Sequence, residues 1–161
     1  MFFILYHKPE LNFMRGNWVM KIAIASDHGG VELKKNIINF LQNQNLEVAD
    51  MSPVNDGLDD YPDFAEIVVK ELAEKRADWG ILICGTGIGI SIAANRHKGI
   101  RAAILYDNFT AESAKVHNNA NIVVFGGRTM TAEQAIERLK IFMNNRYEGG
   151  RHEQRLCKLD K

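Results

Sequence analysis

From Met20 onward, short aliphatic runs alternate with longer amphipathic stretches. Five runs read as strands: Lys21–Ala25 (KIAIA), Leu46–Asp50 (LEVAD), Gly80–Cys84 (GILIC), Arg101–Tyr106 (RAAILY) and Asn121–Phe125 (NIVVF). Several are apolar on consecutive residues rather than alternate ones, as parallel strands covered on both faces require. Helical spacing predicts helices near 30–44, 62–76, 88–97, 108–117 and 131–145. In the first, Leu33, Ile37, Ile38 and Leu41 share a face, with Lys34 and Lys35 outside it. In the last, Ala135, Leu139 and Phe142 do the same, behind Thr131 as N-cap and Glu133 in the first turn. Five βα units joined by short connections predict an α/β fold: a Rossmann-like three-layer α/β/α sandwich around a five-stranded parallel sheet. No internal repeat or low-complexity stretch interrupts this rhythm.

Residues 1–19 do not follow it. They read as a dispensable extension, or as an upstream start, since Met14 and Met20 are alternative initiators. The apolar run Phe2–Tyr6 is too short for a secretory signal and has no basic residue before it. The working unit is therefore a single domain over 20–161.

Composition narrows the function without naming it. The chain has 161 residues, 46% of them apolar, enough for a core without staples. Twenty basic and twenty acidic side chains cancel, so neither nucleic acid nor a membrane surface is an expected partner. No apolar run reaches the roughly 20 residues that span a bilayer. Cys84 and Cys157 make no disulfide framework, and no Cys/His spacing suggests structural zinc. A reduced, cytoplasmic setting is expected.

In an open parallel sheet, ligands bind beyond the carboxyl ends of the strands. After the first strand come Ser26, Asp27, His28, Gly29 and Gly30; after the third, Cys84, Gly85, Thr86, Gly87, Ile88 and Gly89. Asp107 and Asn108 follow the fourth, and Gly126, Gly127 and Arg128 the fifth. The GTGIG turn at 85–89 reads either as an anion cradle of free N–H groups or as a tight turn. It fails the dinucleotide pattern GxGxxG at Ile90, and survives more weakly as a methyltransferase-like turn for S-adenosylmethionine. A thiol such as Cys84, beside a helix N-terminus, sits where thiolate is favoured, although a lone cysteine is commonly a small buried apolar residue. His117 falls at a predicted helix end, and His97, between Arg96 and Lys98, on solvated surface. Arg151 and Arg155, four apart, make a cationic fork for phosphate if their segment is helical.

These segments together closely resemble the type B ribose-5-phosphate isomerase family, which also includes galactose- and allose-6-phosphate isomerases. The likeness covers nearly all of 20–157 and rests on IASDHGG (24–30), DYPDFA (60–65), GILICGTGIGISIAANRHKGIRAA (80–103), HNNANIVVFGGR (117–128) and YEGGRHEQR (147–155). It implies interconversion of D-ribose 5-phosphate and D-ribulose 5-phosphate through an enediolate, in pentose phosphate metabolism, with no metal or organic cofactor. Allose or galactose 6-phosphate is the alternative substrate. The resemblance makes Cys84 the carbon base and the N–H groups of Gly85, Thr86, Gly87, Ile88 and Gly89, with the Thr86 hydroxyl, the anion hole. It pairs Asp27 with His117 for ring opening and gives the phosphate to His28, Arg128, Arg151 and Arg155. Tyr61 and Asn118 then contact sugar hydroxyls. It further implies a homodimer or homotetramer whose sites are shared between subunits.

Overall fold

The structure, a computed structural model, describes residues 20–52 and 60–160. The expected extension 1–19 lies outside the described residues. The elements run β1 (Lys21–Ser26), α1 (Val31–Gln42), β2 (Glu47–Asp50), α2 (Tyr61–Ala73), β3 (Trp79–Cys84), α3 (Ile88–Ala94), β4 (Ala102–Ile104), α4 (Asn108–Val116), β5 (Ile122–Gly126), α5 (Ala132–Asn144) and α6 (Arg151–Leu159). The five strands form one all-parallel sheet in the order β2-β1-β3-β5-β4. The α/β/α sandwich expected from the βα rhythm is present, with α6 added.

Residue size sorts the two layers. Ile22, Ile24, Ile81, Ile83, Val123 and Phe125 point to one face and pack under α1, α4 and α5 through Leu33, Ile37, Leu41, Ala111, Ala114, Leu139 and Phe142. The alternate positions Ala23, Ala25, Leu82, Cys84, Ile122 and Val124 meet α2 and α3 through Phe64, Val68, Val69, Ile90 and Ala94. Alanine on the second face lets α2 lie close: a Cβ at Gly80 would stand 2.5 Å from Val68 Cγ1. Because both faces are covered, the strands are apolar at consecutive positions.

The strand order reverses between β1 and β3, which puts a crevice between their carboxyl ends. A buried polar knot fixes the β1 side of it. Lys34 Nζ donates to Asp50 Oδ1 (2.8 Å), Ser52 Oγ (2.7 Å) and Ser52 O (3.0 Å), and Ser52 Oγ accepts the Ser26 N–H at 3.1 Å. The lysine that periodicity places outside α1 is in fact almost wholly buried, because Asp50 and Ser52 satisfy its ammonium group. It ties α1 and the end of β2 to the residue just before Asp27.

Side chains close both late helices. Asp107 accepts from the Thr110 N–H at 2.7 Å while Thr110 Oγ1 accepts the Asp107 N–H at 2.9 Å. The Thr110 N–H bond, and then the Thr110 side chain, hold the Asp107 carboxyl below its ordinary range, so an acid that sequence order places at the site edge is spent on capping. Thr131 Oγ1 accepts from Gln134 N, and Gln134 Oε1 returns the contact to Thr131 N. Among the described residues, no helix is long and apolar enough to cross a membrane.

Thr131→Ala removes one acceptor from the start of α5 and leaves the sheet untouched. It is expected to cost about 1 kcal/mol, read as a lower urea midpoint at unchanged m-value. An unshifted midpoint would show that the reciprocal cap contributes nothing.

Candidate active site

Two clusters of the expected site residues form, at opposite ends of the sheet. The first lies over the β1/β3 crevice. Asp27 is buried there: its N–H donates to Ile83 O at 3.2 Å and its Oδ1 accepts from Gly29 N at 2.8 Å, which turns the chain sharply after β1. His28, one residue further, is exposed.

Cys84 ends β3, buried, and its Sγ accepts the Gly87 N–H at 3.2 Å. Gly87 reaches back because its φ is +81°, a left-handed conformation that glycine adopts without strain. The Ile88 N–H donates to Thr86 Oγ1 at 3.3 Å. The N–H groups of Thr86 and Gly89 have no acceptor among the described residues. One amide of the turn is thus aimed at sulfur and others remain open to an oxygen anion beside it. That is the geometry of a carbon base next to an anion hole.

Backbone holds this cluster together. Gly127 N donates to Cys84 O (2.8 Å) and Arg128 N to Gly85 O (2.9 Å), which lays the loop after β5 across the glycine turn. A Cβ at Gly127 would fall 2.2 Å from Gly29 O, so the loops after β1 and β5 touch main chain to main chain. The Arg128 side chain crosses Gly85, and the Tyr61 ring, at the start of α2, lies against Gly89. Asp27, His28, Tyr61, Cys84, Thr86 and Arg128 are therefore one constellation.

His117, Asn118, Arg151 and Arg155 are not part of it within one chain. In a parallel sheet each helix runs back against its strands, so α4 begins at the carboxyl edge and ends at the amino edge. There Arg101, just before β4, donates through Nε to Asn118 O and Asn119 O, both at 3.1 Å. A five-residue strand such as β5 separates the two edges by roughly 16 Å. The second cluster is organised around α6. Glu148 N donates to Val116 O at 3.1 Å, and the Arg101–Asp160 pair (3.0 Å) anchors the far end of the helix. Gly149 and Gly150, with φ of +67° and +58°, turn the chain so that α6 begins against the last turn of α4.

Two residues of this cluster have no assignment from sequence. His152 is buried between the exposed Arg151 and Arg155, and its ring stacks on His117 with centroids 4.5 Å apart and planes 17° from parallel. Burial lowers its proton affinity, and His117, Arg151 and Arg155 add to that. Glu148 Oε2 lies 3.8 Å from His152 Nε2. The i,i+4 spacing of Glu148 and His152 is the one signal the sequence offers, and it appears only once the segment is known to turn into α6.

A thiol, an acid and an N–H cradle at the switch point of the sheet, with an imidazole and two guanidiniums at its other edge, are the equipment of an enzyme that moves protons on a small anionic substrate. Comparison with known proteins gives the same class. A family model described as Ribose/Galactose Isomerase matches residues 22–159. The ribose-5-phosphate isomerase B of Escherichia coli is 41% identical over 136 residues, covering 84% of this chain and 91% of that protein. A ribose 5-phosphate isomerase structure from Thermotoga maritima superposes with a TM-score of 0.84 at 48% identity, covering 88% and 97% of the two chains. The type B enzyme of Trypanosoma brucei gives 0.83 at 40%, covering 89% and 98%. The chain belongs to the ribose/galactose isomerase family and is an aldose–ketose isomerase.

Gly127→Ala forces apart the two loops that carry Asp27 and Arg128. The expected result is a loss of about 1–3 kcal/mol in urea unfolding, the usual cost of overpacking. Isomerase turnover should fall by about 10²-fold, as for a 1 Å misplacement of reacting groups. Wild-type stability together with wild-type turnover would show that these loops yield freely.

Proposed function

We propose that the protein interconverts D-ribose 5-phosphate and D-ribulose 5-phosphate without a metal, in pentose phosphate metabolism, at sites each assembled from two copies of the chain. The observation that carries this reading is Cys84 Sγ held by the Gly87 N–H at 3.2 Å, beside amides with no acceptor among the described residues.

The sugar ring opens first. One of Asp27 and His117 takes the proton of the anomeric hydroxyl while the other protonates the ring oxygen. The Cys84 thiolate then removes the proton on carbon 2, and that electron pair becomes the carbon 1–carbon 2 double bond. Charge collects on the former carbonyl oxygen, which faces the Thr86 and Gly89 amides and the Thr86 hydroxyl. Return of the proton to carbon 1, with the hydroxyl proton passing from oxygen 2 to oxygen 1, completes the ketose. The substrate neither gains nor loses electrons overall, so the step needs no redox partner. His28, Arg128, Arg151 and Arg155 hold the phosphate, and Tyr61 and Asn118 contact hydroxyls.

Asp27 and His117 can share a sugar only across a subunit boundary. The surface around the crevice supports this. Ile88 and Ile92 on α3 are 57% and 59% exposed, and Tyr106 and Phe109, at the β4–α4 turn, 71% and 72%. Large apolar side chains gathered beside a site are what an interface between copies covers. A homodimer, or a tetramer of such dimers, is the smallest complete enzyme, with galactose or allose 6-phosphate the alternative substrates to compare.

Purified protein is expected to convert ribose 5-phosphate in the presence of a chelator. Cys84→Ala should lower kcat by about 10²–10⁴-fold, the range for a lost general base. Undiminished turnover in that variant would remove the base. Subunit sharing has its own test. Cys84→Ala and His117→Asn are each expected to be inactive, yet unfolding and refolding them together should restore about a quarter of wild-type activity. Half of randomly reassembled dimers are mixed, and each of those carries one intact site. Mixtures that stay inactive would place each site inside a single chain.

A further inference from the structure

His117, Glu148 and His152 each offer one ligand atom, and those atoms all lie within 4.8 Å of one another. We propose that these three residues form a binding site for a divalent transition-metal ion of the zinc type, and that its occupation silences the enzyme.

The donor set carries the choice of ion. Two imidazoles and one carboxylate suit zinc and its first-row neighbours, whereas magnesium and calcium take oxygen donors throughout. Zinc bound by two histidines and a glutamate keeps a fourth position open to water. Tetrahedral zinc at its usual bond lengths needs donors about 3.4 Å apart, so the three must close by roughly 1.5 Å at most. Glu148 supplies freedom for this, being exposed on a main chain pinned to Val116 O, and the two stacked rings, 17° from parallel, have to turn apart so that their in-plane lone pairs meet at one ion.

A second observation points to a ligand independently of this proximity. His152 Nε2 is buried and has no hydrogen-bond partner, a condition that costs stability and that coordination would relieve. Arg151 and Arg155 stand beside the cluster and repel a cation, which sets the affinity below that of a closed structural zinc site. The cluster escapes motif reading because its histidines lie on different helices, α4's C-cap and α6.

Inhibition follows from the ring-opening role proposed above for His117, and rests on that reading. A lone pair committed to a metal cannot accept or relay a proton at the sugar.

The test uses full-length protein stripped with chelator and titrated with zinc sulfate by calorimetry, with cobalt absorption as a second readout of the ligand set. Wild type is expected to bind one ion per chain. Glu148→Gln, at an exposed position where folding is secure, and His152→Asn should each weaken binding at least tenfold, with circular dichroism confirming the fold. A chain carrying Cys84→Ala and Cys157→Ala should bind as wild type does. Zinc should suppress ribose 5-phosphate turnover in wild type, and Glu148→Gln should keep its turnover and lose most of the sensitivity. Absence of binding, or equal binding by Glu148→Gln and His152→Asn, overturns the site. Binding that depends on Glu148 but leaves turnover unchanged upholds the site and overturns the role given to His117.

Discussion

Every strand of a parallel sheet has to be returned to its starting edge, and the helix that does so carries its last residues about one strand length from the residues at its start. This constraint organises the whole molecule. It gathers Asp27, Cys84, Thr86 and Arg128 at one edge, because each follows a strand. It sends His117 and Asn118 to the other, because they end a helix. α6 then has a place to dock, against the end of α4 and beside Arg101. A single copy in this sense carries two groups of candidate site residues on one scaffold, and the function proposed above makes assembly part of the chemistry rather than an addition to it.

The two ends are built differently. At the carboxyl edge the contacts are largely main chain: Gly127 on Gly29, Arg128 N on Gly85 O, Gly87 N on Cys84 Sγ. At the amino edge one main-chain bond, Glu148 N on Val116 O, is joined by side chains packed on side chains or on carbonyls: His117 on His152, Arg101 on Asn118 and Asp160. Main-chain contacts fix a thiol against its amides with little freedom. Side-chain contacts leave an imidazole adjustable, which suits the ring-opening role proposed for His117.

The sheet was legible in the sequence because a parallel strand buried on both faces is apolar without interruption, as GILIC and NIVVF are. Edges were harder. The fourth strand, expected over 101–106, shrinks to Ala102–Ile104 because it pairs only with β5, while Asn95 and Asn121 take up the N–H groups of Ala102 and Arg101. The predicted helix over 88–97 likewise stops at Ala94, where the Asn95 side chain turns to β4. For the candidate site, the rule that ligands lie beyond strand ends singled out Asp27, Cys84 and Arg128 from order alone, and the fold brings their loops together. Nothing in the order marked His152 or Glu148, since what distinguishes them is a neighbour on another helix. Lys34 shows the same limit: its partners Asp50 and Ser52 lie at and just beyond the end of β2, so periodicity within α1 put it in solvent.

The all-backbone junction of Gly29, Gly85 and Gly127 bears on how such a protein can diversify. Positions that meet through main chain offer mutation no side chain to exchange, so the thiol end is nearly closed to adjustment. Tyr61 and Asn118, by contrast, present exposed side chains. With the roles proposed above, a lineage built on this scaffold can retune which sugar it accepts while inheriting its proton chemistry unchanged.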